Sequence, residues 1–241
     1  MRQALAYAVD KVGINAALYE GQNPIADSVF PATSDIGRAA DAAVTKYPYD
    51  LSRSARLMAE AGFTKQSGDF YTGPDGERFS VETRTGTVPN VELQTTLASG
   101  WRQAGFDVQE MVVPTAQWQE VQVKSTNPGI VLSPSGSGPN ALNSMGTANI
   151  PRAENSWRGS AWDGYSNAEI DRLIAAFGAA LDPAEQTRVV ADFVKLYSSE
   201  VPAIPLFFPI FPWTFTSDVS GPRVRPADGN IAWNMHEWEI R

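Results

Sequence analysis

Residues 79–133 alternate between short β-rich runs and helical patterns, and this alternation restricts the fold more than any other feature of the chain. Residues 79–85, FSVETRT, read as a strand reached from Phe70-Tyr71 through the turn Gly73-Pro74-Asp75-Gly76. Residues 90–104 read as a helix with Leu93, Leu97, Trp101 and Ala104 on one face, stopped by Gly105. A strand over 106–113, a short helix over 115–123 and a strand over 129–133 follow. Strands separated by crossover helices pair in parallel, with right-handed crossovers. The chain therefore reads as α/β, with a mainly parallel sheet flanked by helices.

The flanking segments supply those helices. Residues 2–21 read as two short ones. Leu5, Ala8 and Val9 face inward from the first; Asp10 caps the second, which carries Ile14, Ala17 and Leu18 and stops at Gly21. Residues 22–49 show no period and contain Pro24, Pro31, Gly37 and Pro48, so they read as a long loop. Residues 50–61 read as a helix with Leu51, Ala55, Met58 and Ala59 inward and Gly62 just past its end. Ser166 and Glu169 have the spacing of a capping box, followed by Ile170, Leu173, Ile174, Phe177 and Leu181 on one face. Asp182-Pro183-Ala184-Glu185 starts another helix, with Val190, Phe193, Val194 and Tyr197 inward and Pro202 beyond its end. The run AIPLFFPIFPWTF is too short and too rich in proline to cross a membrane and reads as an extended, buried crossing. Residues 216–241 read as short extended pieces around Gly221-Pro222 and Asp228-Gly229, ending in Trp233, His236 and Trp238.

Composition removes several chemistries. A net charge of −8 argues against a nucleic-acid partner or an anionic membrane. With no cysteine and one histidine there is neither a thiolate nor a histidine metal cluster, and no cofactor is implied. No Gly-rich phosphate loop and no nucleophile elbow appears. Carboxylates such as Asp107 and Glu110 fall at predicted surface positions, and His236 reads as a hydrogen-bonded structural residue.

One segment has the chemistry of a binding site. Residues 133–164 follow the carboxyl end of a predicted parallel strand, where open α/β sheets bind ligands. They offer Ser133, Ser135, Ser137, Asn140, Asn143 and Asn155 beside the rings of Trp157 and Trp162. Polar groups converging among aromatic rings are what a small-molecule pocket requires. The plainer alternative is a solvated loop whose two tryptophans plug the core. Trp118 shares a predicted helix face with Val121 and reads as core.

Three segments then resemble a known family, in that family's order. They are MRQALAYAVDKVGINAALYEGQNPIADSVFP, YDLSRSARLMAEAGF and GYSNAEIDRLI…LDPAEQTRVVADFVKLYSSEVPAIPLF. Together they are similar to family 5 extracellular solute-binding proteins, the dipeptide, oligopeptide and nickel receptors of ABC importers. The resemblance implies a lobe of a type II periplasmic binding protein rather than an enzyme. It also implies a small polar solute and an ABC permease as partners, and a place outside the cytoplasmic membrane.

Met1 aligns to the middle of such proteins, and the N-terminus lacks the apolar core of a signal peptide. The chain is therefore expected to be a second lobe over residues 1–212, with 213–241 a segment returning toward a first lobe. An apolar interface left uncovered would pair two copies or fold back on its own lobe.

The resemblance also points to the strand end Arg84-Thr85-Gly86-Thr87, since in peptide-binding members a basic residue after this strand pairs with the ligand carboxylate. Arg84 and Thr85 are therefore candidate ligand residues. Where those members carry an aspartate for the peptide's amino group, this chain has Ser137-Gly138-Pro139-Asn140, without an acid. Two readings from other classes stand beside binding: a hydrolase of small peptides or glycans using cleft carboxylates, and a protein-interaction module that binds no solute.

Overall fold

A computed structural model describes residues 1–66, 68–86, 88–210, 214–223 and 232–241. The expected boundary near Pro212, the Asp228-Gly229 turn and Thr87 lie outside the described residues.

Helices α1 (Arg2–Tyr7) and α2 (Lys11–Tyr19) open the chain. Asp10 caps α2 by accepting the Gly13 N–H at 2.8 Å. Ile14 is buried as expected, whereas Ala17 is exposed. Lys11 is buried, its ammonium held by the Ala26 carbonyl and the Asp27 carboxylate, both at 2.8 Å. Those bonds fix the start of the segment read from sequence as a long loop.

Part of that segment is a helix, α3 (Asp35–Ala43), capped by Ser34 and packed on a later helix. Its face is small: a Cβ on Gly37 would lie 1.8 Å from the Pro31 carbonyl oxygen. Such a face leaves little apolar periodicity to detect. Helix α4 (Leu51–Glu60) lies where a helix was expected and is capped by Asp50. It buries Ser54 and Met58, while Leu51 and Ala59 face solvent, contrary to the sequence reading. The Ser54 hydroxyl donates to the Ala4 carbonyl at 2.7 Å, so a polar residue ties α4 to α1.

The predicted turn follows, closed by Gly73 N–H to Glu77 O at 2.8 Å. Strand β1 (Ser80–Thr85), helix α5 (Val88–Ala104), strand β2 (Asp107–Val112), helices α6 (Thr115–Trp118) and α7 (Val121–Ser125) and strand β3 (Ile130–Val131) come next. The sheet order is β2-β1-β3, and both pairings are parallel, from Ser80 opposite Asp107 to Thr85 opposite Val112. The one helix expected over 115–123 is thus two short pieces; Trp118 is buried, and Val121 is not.

Leu93, Leu97, Trp101, Phe106 and Val108 form the core beneath the sheet with Met58 and Leu5. Gln94, fully buried, donates to the Thr83 carbonyl at 2.8 Å and locks α5 onto the central strand.

Helix α8 (Pro139–Leu142) and three 3₁₀ turns lie within residues 133–164, read from sequence as a binding segment or a solvated loop. Helices α9 (Ala168–Ala179) and α10 (Pro183–Glu200) then pack with α3 around Ile170, Leu173, Val190, Phe193 and Val194. The cap of α9 is Asn167, whose side-chain oxygen accepts from Glu169 and Ile170, not Ser166. Leu181 lies past the end of α9 and is 95% exposed, so it is not part of the inward face. Asp182 and Pro183 start α10 as expected.

The proline-studded run lies antiparallel beside residues 24–26, with Ala26 N–H to Leu206 O at 3.1 Å and Phe208 N–H to Pro24 O at 2.8 Å. Ile204, Leu206 and Phe207 are half-buried against the sheet core, while Ile210 is exposed, so this crossing is less buried than expected. Strands β4 (Val219–Ser220) and β5 (Glu239–Ile240) pair antiparallel. Phe215 packs edge-on against Trp238, and Trp233, Met235 and Ile240 are exposed. His236 is exposed rather than buried in a hydrogen-bonded setting. Among the described residues no helix is long and apolar enough to cross a membrane.

Candidate functional site

The three parallel strands end together. Beyond β1, the Thr85 carbonyl still accepts Val113 N–H at 2.8 Å and the Arg84 carbonyl accepts Leu132 N–H at 2.9 Å. Ser133 is the first residue past that ladder, and Ser133 and Ser135 are exposed there. Ser137 is half-buried, with Gly138 tied by its N–H to Val29 O at 2.8 Å. Asn140 and Asn143 are exposed on and just after α8. The Asn143 carbonyl accepts from Asn149.

Trp118 covers the end of β1. It is 5% exposed, and a Cβ on Gly86 would lie 2.0 Å from its Cγ. Glycine here provides room for the ring. The Lys124 ammonium is 5.6 Å from the ring centre of Trp118 and 5.6 Å from that of Trp162. The Trp162 indole N–H donates to Gly159 O at 3.2 Å. The fold therefore joins α6, α7 and the 133–164 segment in one indole–ammonium–indole cluster beside the strand ends.

Other sequence candidates fare differently. Asn155 spends its side chain on its own turn, accepting from Arg152 N–H at 2.9 Å and donating to Ile150 O at 3.0 Å. Ser156 and Trp157 follow with φ of 56° and 58°, consecutive left-handed residues in a region that favours glycine. Trp157 is half-buried and held by its N–H to Arg152 O at 2.7 Å.

Thr85 is fully buried beneath the sheet, so its side chain presents nothing to a solute. Arg84 lies on the opposite face and is engaged by Glu82 at 2.6 and 2.8 Å and by the Val123 carbonyl at 3.3 Å. Only 15% of its side chain is exposed. Arg84 is therefore held in a salt bridge with Glu82 rather than presented as a fork open to ligand.

The acids are similarly committed. Asp107 faces Arg78 at 3.7 Å, and Glu110 pairs with Arg102 at 2.7 Å. Asp163 accepts the Tyr197 hydroxyl at 2.7 Å and Tyr165 N–H at 3.2 Å. Burial, followed by the Asp163 charge, pushes the Tyr197 hydroxyl far above the ordinary phenol range. Among the described residues no group of three histidine or carboxylate side chains could hold a metal ion. Two grooves are present elsewhere: about 400 Å³ between Thr64, Lys65, Phe70 and Arg78, and about 300 Å³ between Thr147, Ile150, Arg152 and Asn155. Neither is lined by Gly86, Ser133 or Trp162.

The model of the family described as bacterial extracellular solute-binding proteins, family 5 Middle, matches residues 1–155. The chain belongs to that family. A family 5 chain with this sheet is also similar in fold to solved binding proteins. The oligopeptide-binding protein of Thermus thermophilus complexed with pentapeptide superimposes with a TM-score of 0.77 at 22% identity, over 99% of this chain and 43% of that one. NikZ of Campylobacter jejuni in complex with Ni(L-His) gives 0.75 at 20% identity, over 99% and 48%. An uncharacterised lipoprotein of Mycobacterium tuberculosis is 26% identical over 244 aligned residues. That alignment covers 99% of this chain and 40% of the lipoprotein. The chain thus spans less than half the length of each of these proteins. The resemblance of its three segments to family 5 and the type II periplasmic-binding-protein α/β fold both stand.

Sequence reasoning missed Lys124 and assigned Trp118 to the core alone. No spacing rule brings Lys124 to Trp162; only the return of the chain past β3 does.

Proposed function

We propose that this family 5 chain supplies one wall of a solute site in the receptor of an ABC importer, outside the cytoplasmic membrane. One observation carries the reading. The parallel strands open onto Ser133 and Ser135 beside the Trp118–Lys124–Trp162 cluster, where an open α/β sheet binds its ligand. Hydroxyls and main-chain groups beside the half-buried ring of Trp162 suit a small polar solute, a saccharide or a short peptide. Asp163 and Glu110 are spent on structural partners, which favours capture over hydrolysis. The permease is the partner this reading implies. Binding to the chain alone is weak, because Ser133 and Ser135 stand exposed at the strand ends and affinity follows enclosure.

Saturation-transfer NMR on the 241-residue chain tests this with a mixture of neutral oligosaccharides and short peptides. At least one member should receive saturation, and Ser135→Trp, which fills the mouth of the strand ends, should abolish it. Failure of every member, or a signal untouched by Ser135→Trp, overturns the reading.

A further inference from the structure

We propose that Lys124 is the group by which this face binds a carboxylate-bearing solute, an inference that rests on the solute-binding reading above. The ammonium is placed by two rings, 5.6 Å from each centre, and among the described residues it has no carboxylate within ion-pairing distance. The neighbouring cation Arg84, by contrast, is tied down by Glu82 at 2.6 Å.

Indole faces attract a cation but cannot neutralise it, so its charge stays available to an incoming anion. The rings also exclude water from its flanks, which strengthens attraction to a carboxylate. Trp118 cannot retreat without opening the space over Gly86, and Trp162 is pinned through its N–H to Gly159. The ammonium is thereby held near the end of β1, close to where the strands present Ser133 and Ser135. Ring stacking, hydroxyl hydrogen bonds and one ammonium together suit an acidic saccharide or the carboxyl end of a peptide.

The test compares isosteric probes on the 241-residue chain by NMR titration of the strand-end amides and the Trp162 indole. Galacturonate is paired with galactose, and alanyl-tyrosine with alanyl-tyrosinamide. The acid of at least one pair should bind about tenfold tighter than its neutral partner, about 1.4 kcal/mol. Lys124→Gln should erase that preference without weakening the neutral partner, and Lys124→Arg should restore it. Equal binding of acid and neutral partner, a preference that survives Lys124→Gln, or glycine betaine outcompeting both acids overturns the inference while leaving the solute site in place. If no probe perturbs the strand ends, the solute reading fails with it.

Discussion

Gly86→Ala is the sharpest test of how the strand end is built. The added Cβ would lie 2.0 Å from Trp118 Cγ, 2.1 Å from Cδ2 and 2.5 Å from Cβ. Ordinary carbon contacts sit at about 3.5–4 Å, so the ring must move by roughly 1.5 Å or leave its site. Overpacking of this kind costs about 1–3 kcal/mol, and full ejection of a buried tryptophan about 3–5 kcal/mol. In a chain of this length each kcal/mol lowers the melting temperature by about 2–4 °C.

The sign is diagnostic. Gly86 is not among the residues with positive φ, so without the ring an alanine there would stabilise by about 0.4–1 kcal/mol. Urea unfolding of Gly86→Ala, Trp118→Ala and the double variant isolates the contact. Gly86→Ala should destabilise the wild-type chain by at least about 1 kcal/mol and be neutral or stabilising once Trp118 is alanine. An equal effect in both backgrounds, or none in either, would refute the packing of Trp118 on the end of β1.

Three further outcomes follow from the same geometry. Tyr197→Phe should cost about 1.5 kcal/mol at neutral pH through loss of its bond to Asp163, measured by urea unfolding. The Tyr197 pKa is raised in the folded chain, so its contribution is intact below the ordinary tyrosine value of about 10. It is lost above that pH as the unfolded chain ionises first, and Tyr197→Phe should show a shallower loss of stability from pH 10 to 11. Asn167→Ala should destabilise by about 1 kcal/mol and Ser166→Ala by much less, the reverse of what a Ser166 capping box requires. Acetylating the amino terminus of a bound peptide should change its affinity by less than about threefold, because residues 133–143 contain no acid; a tenfold loss, about 1.4 kcal/mol, would show that an acid serves the amine.

Much of the scaffold was legible because its signals are local. Asp10 and Asp182 each cap the helix expected of them, and the Leu93, Leu97, Trp101, Ala104 stripe is buried where periodicity put it. The failures are nonlocal. Helix α3 carries mostly alanine on its face, and what makes it a helix in place is its packing on α10, which no window of sequence contains. Leu181 fits the helical period, but α9 ends two residues before it. At the candidate site, Ser133 and Ser135 stand exposed just past the sheet, because position after a parallel strand is readable from the chain. Arg84 misled because a strand also pairs residues two apart on one face, and Glu82 is such a neighbour. Lys124 and Trp162 come from separate elements, and their meeting is a property of the fold alone.

The most direct measurement of the central claim is a residue-resolved map of solute contact on this chain. Amide and indole shifts of the ¹⁵N-labelled protein would be followed while titrating the solute that gives the strongest saturation transfer. Shifts are expected at Gly86, Ser133, Ser135, Ser137, the Lys124 side chain and the Trp162 indole. Shifts confined to the groove at Lys65, Phe70 and Arg78, or to the one at Thr147 and Arg152, with the strand ends silent, would contradict it.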